Sequence, residues 1–257
     1  MHEVLAVALQ SMQADMARVD QVGMNLANAL TPGYKRGVAV QGPIGAAFAA
    51  HLAGATAAAG GAQDPLLAGV QAVSLRSDSR TGTLKATGQP LDFALAGKGW
   101  FEIATPDGPA YTRQGSFRLD AAGRLVTAQG DPVMGNGGEI RLTTANPVIT
   151  ASGAVLGPDG NEEAPLAQLR VVEFDGDATL QRMGDGLVSA GADAGMKLLE
   201  PREVQLRQGF LENSNVASTQ EMTQLMQAMR HFEAMQKAAQ GYDDMLGTAI
   251  RKLGETS

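Results

Sequence analysis

The longest uninterrupted periodic pattern in the chain lies near its C-terminal end, and it limits what the rest can be. From Met222 the apolar residues Leu225, Met229 and Phe232 follow at steps of three and four. The row continues through Ala239, Leu246, Ile250 and Leu253, widened by Met226, Met235, Tyr242 and Met245. Such spacing places one apolar stripe along a single helix. Ser218 with Glu221 three residues on has the spacing of a capping box, and Gly254 after Arg251 and Lys252 supplies a stop, with no proline between. At about 1.5 Å per residue this helix is about 54 Å long, too long for a compact domain to bury unaided. Its stripe needs a partner.

The other end of the chain offers one. Leu5, Leu9, Met12, Met16, Val19, Leu26 and Leu30 follow the same rhythm, interrupted where Gly23 takes a core position. Thr31-Pro32-Gly33 then stops the helix, because proline cannot continue it and biases the preceding residue to extended geometry. Two arrangements satisfy matching seams: a hairpin within one chain, or burial against copies in neighbouring subunits.

Between the helices the pattern changes twice. Residues 42–69 are rich in alanine and glycine and short of large apolar side chains, which predicts a linker or weakly ordered insertion, with a short alanine-rich helix as the alternative. From Val70 to about Leu206, short apolar runs alternate with turn signals: Asp107-Gly108, Asp159-Gly160, Asp175-Gly176, Ala122-Gly123, Gly137-Gly138 and Gly184-Asp185-Gly186. This predicts an all-β middle with Leu91, Phe93, Leu95, Phe101, Ile103, Phe117, Leu119, Leu125, Val133, Leu169, Val171 and Phe174 in its core. The expected fold class is α+β: long N- and C-terminal helices forming a coiled-coil-like core, with the all-β domain between them. The expected division is residues 1–36 and 212–257 in the helical part, 37–69 as linker and 70–211 as β domain.

Composition removes several function classes. A formal charge of −7 argues against a nucleic-acid or anionic-membrane binder. Aromatics are only 4%, a poor supply of anchors for a small-molecule pocket, and the absence of cysteine excludes disulfides and thiolate chemistry. No stretch of apolar residues is long enough to span a membrane. Glu3, Gln10, Gln13 and Asp15 interrupt any signal-peptide core, so a cleaved signal is not expected.

No catalytic constellation emerges either. His2, His51 and His231 lie far apart without a second ligand at metal-binding spacing, so no metal site is expected. Gly97-Lys98-Gly99 lacks the further glycines of a dinucleotide or phosphate loop and reads as a turn between strands. The many methionines on the helices read as adaptable packing rather than metal ligands. A β-domain glycan hydrolase would require two carboxylates converging in a cleft; Asp92, Asp107 and Asp120 are the residues to watch. No catalytic residue and no cofactor is expected.

Specific motifs go further. Asn25-Leu26-Ala27-Asn28-Ala29-Leu30-Thr31-Pro32-Gly33-Tyr34-Lys35 resembles the N-terminal signature of the bacterial flagellar rod and hook proteins. Leu211-Glu212-Asn213-Ser214-Asn215-Val216, followed by the long helix, is similar to the second signature of that family. Thr87 to Phe101, Tyr111 to Phe117, Gly123 to Thr127 and Gly130 to Gly135 resemble its β domain, in the same order. Met24 departs from the usual polar residue, and residues 42–69 match no family segment. Gly99-Trp100 and Pro132-Val133-Met134-Gly135 are more similar to the proximal rod type. Asp244-Met245-Leu246 keeps the distal type as the alternative.

The resemblance implies a structural subunit of the basal-body rod, not an enzyme. It would polymerise helically through its terminal helices, with the β domain outside an inner tubular core. Implied partners are further copies, other rod proteins, the flagellar type III export apparatus and the surrounding ring proteins. The implied location is the periplasmic rod, reached without a cleaved signal. The expected subunit-interface residues are Leu5, Leu9, Met12, Met16, Val19, Leu26, Leu30, Met222, Leu225, Met226, Met229, Phe232, Leu246, Ile250 and Leu253. The expected motif residues are Asn25, Leu26, Asn28, Thr31, Pro32, Gly33, Tyr34, Ser214, Asn215 and Val216. A soluble oligomer unrelated to flagella, held by an intramolecular helical hairpin, is the alternative outside the family.

Overall fold

The computed structural model describes residues 2–40, 74–142, 144, 146–157, 165–175, 180–191 and 194–254. Residues 41–69 of the expected linker lie outside this set, as do Asp159-Gly160 and Gly176; Gly37–Val40 is a strand. The chain divides into two compact units. One comprises the described residues of 1–27, 37–76 and 217–257, the other those of 28–36 and 77–216.

The first unit contains helices α1, His2–Ala27, and α2, Ser218–Gly254, with a small sheet in which Gly37–Val40 pairs with Ser74–Ser77. The carbonyl of Ala217 takes the first hydrogen bond of α2, from the Glu221 amide at 3.1 Å. Helix α1 ends three residues before Leu30, which stands 95% exposed in the turn beyond.

The expected fold class needs correction. Among the described residues there are two helices and nineteen short strands, so the protein is mostly β, and the helices do not form a coiled-coil-like core. Leu9, Met16, Met222, Met226 and Met229, all expected in the seam, are 51 to 59% exposed. The buried side chains of α1 and α2 are instead Asp15, Gln21, Val22, Asn25, Glu221 and Ala228. Asp15, Asn25, Glu221 and Ala228 each directly precede a seam residue, and one residue is about 100° around a helix axis. The inward face is therefore a row of carboxylates, amides and small apolar groups. Leu9, Met16, Met222, Met226 and Met229 are turned outward, while Met12, Val19, Leu26, Leu225 and Phe232 lie half-buried at the margin.

The second unit is antiparallel β throughout. Its largest sheet has the spatial order Leu180–Gly184, Leu187–Ala190, Gly108–Thr112, Trp100–Thr105, Val171–Glu173 and Lys197–Leu198. Val148–Ile149, Ala154–Leu156 and Ala167–Gln168 form a second sheet. Two-stranded pairs join Phe93–Leu95 to Leu206–Gln208 and Leu84–Ala86 to Phe210–Glu212. Gly108, at φ +124, closes the hairpin between the central strands, a backbone conformation that side chains rarely adopt.

Alternation along Trp100–Thr105 sends its side chains to two apolar clusters. Phe101 and Ile103, both 0% exposed, join Phe93, Leu95, Phe117, Leu125, Val133, Leu169 and Val171 in the main core, with Leu91 and Leu119 at its margin. Phe117 stacks tilted against Phe93 and edge-on to Phe101, with centroids 5.8 and 5.5 Å apart. On the opposite face Trp100, Tyr111, Val172 and Val188 form a smaller cluster, which Phe174 joins.

Phe101→Ala is expected to destabilise this unit by about 3–5 kcal/mol, through lost transfer energy and a cavity. Trp100, the single tryptophan, reports the loss as an earlier denaturant midpoint of its emission.

Candidate functional site

In the β unit the two sequence signatures meet. After α1 the Asn28 carbonyl and side chain accept from the amide and hydroxyl of Thr31, both at 3.1 Å, and Pro32 prevents a further turn of helix. Gly33 follows at φ +70. A Cβ there would lie 2.4 Å from the backbone carbon of Arg113, so only glycine fits. Its amide donates to the Glu212 carbonyl at 2.7 Å, the first link to the second signature.

Lys35 and Glu212 then bring opposite charges together inside the unit. Lys35 Nζ donates to Glu212 Oε1 at 2.6 Å and to the Arg80 carbonyl at 2.8 Å. Arg113 Nη1 donates to Glu212 Oε2 at 3.2 Å and to the Leu95 carbonyl at 3.3 Å, and the Gly82 amide adds a 2.8 Å bond to Oε1. The side chains are 3, 3 and 1% exposed for Lys35, Arg113 and Glu212. Burial lowers the pKa of both cations, Glu212 opposes the shift in each, and the neighbouring Arg113 lowers Lys35 further.

Further bonds complete the junction. Arg182 stacks over the Tyr34 ring at 4.7 Å and donates to the Tyr34 hydroxyl and the Lys35 carbonyl. Asn215 Oδ1 accepts from the Arg36 amide at 2.6 Å, while its Nδ2 donates to the carbonyls of Asp78 and Arg80 at 3.0 and 2.9 Å. Ser214 Oγ accepts from the Val216 amide at 3.3 Å and shapes the exit of the second signature.

The helical unit has its own polar centre. Asn25, 1% exposed, accepts on Oδ1 from Gln21 and from the Gly37 amide, and donates from Nδ2 to the Gly37 carbonyl and to Glu221 Oε2 at 3.0 Å. Further along, His231 Nδ1 meets Asp15 Oδ2 at 2.5 Å, tying α2 to α1. Leu26, the neighbouring motif residue, is half-buried.

Of the motif residues, Asn25 is thus a helix-to-helix linker, while Asn28, Thr31, Gly33, Tyr34, Ser214 and Asn215 make the bonds of the junction. Among the expected interface residues, Met12, Val19, Leu225 and Phe232 are half-buried. Leu5, Leu246, Ile250 and Leu253 lie on the helices, but their side chains fall outside the described set. Sequence reasoning missed Arg182, Glu221, Gln21 and Asp15. Only a charged or amide residue recurring beside the apolar row could have pointed to the last three.

Asp92, Asp107 and Asp120 do not converge. Asp92 accepts from Thr87 Oγ1, Asp107 is exposed at a hairpin turn, and Asp120 binds Ala122 and Arg124 in another turn. Among the described residues no three His, Asp or Glu side chains gather as metal ligands.

Comparison with known proteins places these features. Residues 207–252 match the family model for the C-terminal region of flagellar basal body rod FlgEFG proteins, and residues 94–161 the model for the D1 domain of flagellar hook proteins FlgE/F/G. The flagellar basal-body rod protein FlgG of Agrobacterium fabrum is 32% identical, over 97% of this chain and 98% of its own. The FlgF proteins of Mesorhizobium japonicum and Rhizobium meliloti are 31 and 36% identical, over 100 and 68% of this chain and 100 and 72% of theirs.

Asn25→Leu removes the amide that bridges Gln21, Gly37 and Glu221. It leaves the Gly37 groups and a buried carboxylate short of partners, so a cost of about 3 kcal/mol is expected. Thermal unfolding followed by helical circular dichroism shows the loss, while Trp100 emission, reading the β unit, keeps its midpoint.

Proposed function

The chain belongs to the flagellar basal-body rod and hook family and is a structural subunit of the basal-body rod, and on that premise we propose that it assembles by burying the outward apolar rows of its two helices against neighbouring rod subunits. The observation that carries this reading is the exposure of Leu9, Met16, Met222, Met226 and Met229 on helices whose inward face is polar. An apolar row of this kind on one chain is what a partner's surface covers. The flanking Met12, Val19, Leu26, Leu225 and Phe232 extend the surface, as do Leu5, Leu246, Ile250 and Leu253 by their place in the sequence pattern.

The partners in this reading are further copies and other rod proteins, with the ring proteins around the rod. In this reading the chain reaches the periplasmic part of the basal body through the flagellar type III export apparatus. No described helix is long and apolar enough to cross a membrane. The role in this reading is structural. Identities to FlgF and FlgG proteins are of the same order, so the proximal type is proposed on Gly99-Trp100 and Pro132 to Gly135 alone.

Replacing Leu9, Met16 or Met229 with Asp is expected to abolish rod incorporation and motility, because each puts a carboxylate into an apolar contact repeated in every subunit. The purified monomer should unfold within about 0.5 kcal/mol of the parent, since these positions are exposed in the single chain. Normal motility of all three variants would sink the proposed interface.

A further inference from the structure

The buried charge group of the β unit does something the rod role does not require: it makes one unit depend on two distant parts of the sequence. Lys35 comes from the turn after α1, Arg113 from the end of a central strand and Glu212 from a segment 177 residues beyond Lys35. Among the described residues both cations form their ion pairs with this one carboxylate. Their other hydrogen bonds among the described residues go to the carbonyls of Arg80 and Leu95, while Glu173 and Asp175 line the same cavity as Arg113. Asp78 stands near enough to favour the Lys35 charge, but its carboxylate is engaged by Arg80.

We propose that Glu212 is the positioning residue that makes closure of the β unit conditional on the C-terminal signature. Without it, the turn carrying Lys35 cannot settle beside Arg113, because two buried cations would face each other with no carboxylate between them. Removing one partner of a buried pair leaves an uncompensated charge in a medium that solvates it poorly. The backbone follows the same logic. The Gly33 amide donates to the Glu212 carbonyl and the Tyr34 carbonyl accepts from the Asn215 amide, so the segment that brings the carboxylate also supplies backbone partners to the N-terminal turn. Gly82, whose added Cβ would lie 1.9 Å from the Asn213 carbonyl, lets that segment approach closely enough to use the Gly82 amide. Whichever end of the chain is available first, the junction stays open until both are present.

The test uses the full-length chain, with Trp100 emission as the readout of the β unit alone. Glu212→Gln, which keeps shape and removes charge, is expected to lower the folding constant of this unit by at least about a hundredfold, or to leave it unfolded. The group with Lys35→Met, Arg113→Met and Glu212→Leu together removes every charge, and is expected to restore a cooperative transition, as an apolar replacement of a buried ion group can. In a background of Lys35→Met the further change Glu212→Gln is expected to cost at least tenfold less than in the parent. An unchanged midpoint for Glu212→Gln overturns the proposal. So does a triple variant that stays unfolded, or a Glu212→Gln cost that is the same with and without Lys35. These outcomes do not depend on rod assembly, which is read separately by motility.

Discussion

The carboxylate of Glu212 is the point on which the β unit turns. Each of its oxygens is held, Oε1 by Lys35 and the Gly82 amide and Oε2 by Arg113, at 1% exposure. Such a group is a weak source of net stability, because desolvating three charges offsets most of their attraction. Its value lies in selection. An apolar pocket accepts many registers, whereas a carboxylate that must meet two cations and an amide accepts one. The neighbouring bonds of Asn215 and Arg182 then act on an arrangement already chosen.

The same division of labour recurs in the helical unit, where α1 and α2 meet through Asn25, Glu221, Gln21, Asp15 and His231 instead of through leucines. Polar groups on the inward face specify which residues of the two helices oppose each other, since every misalignment leaves a buried amide or carboxylate without its partner. With these polar groups on the inward face, Leu9, Met16, Met222, Met226 and Met229 stand on the outside. A protein that ended its life as a monomer would gain by the opposite arrangement.

Much of the β unit was legible in the sequence. Asp107-Gly108 marked a hairpin that forms, and alternation picked out Phe101, Ile103, Leu125 and Val171, which are all in the main core. The second cluster around Trp100 and Tyr111 was not, because a strand with two apolar faces shows no alternation to read. The helices were visible and their pairing was not. Periodicity assigns the apolar row to the inside, whereas Leu9, Met16, Met222, Met226 and Met229 stand exposed and polar groups fill most of the buried helical positions, so an α+β fold with a coiled-coil-like core was expected where the chain is mostly β. The junction was half legible: its motifs were recognisable, but nothing local tells that Lys35 and Glu212 touch across 177 residues.

Magnitudes explain why outward rows suit a subunit better than a closed hairpin. Covering the exposed half of one Leu or Met is worth about 1 kcal/mol, so the five residues from Leu9 to Met229 that stand 51 to 59% exposed offer about 5 kcal/mol. Fixing one molecule on another costs roughly 4–15 kcal/mol in lost translational and rotational freedom. A single pairwise encounter in solution through this row is therefore marginal. At the growing end of an assembly the same subunit meets several neighbours while losing its freedom once. Several neighbours can then cover the row more completely than one partner could, and contacts of other surfaces add to it, while the entropic cost is met once.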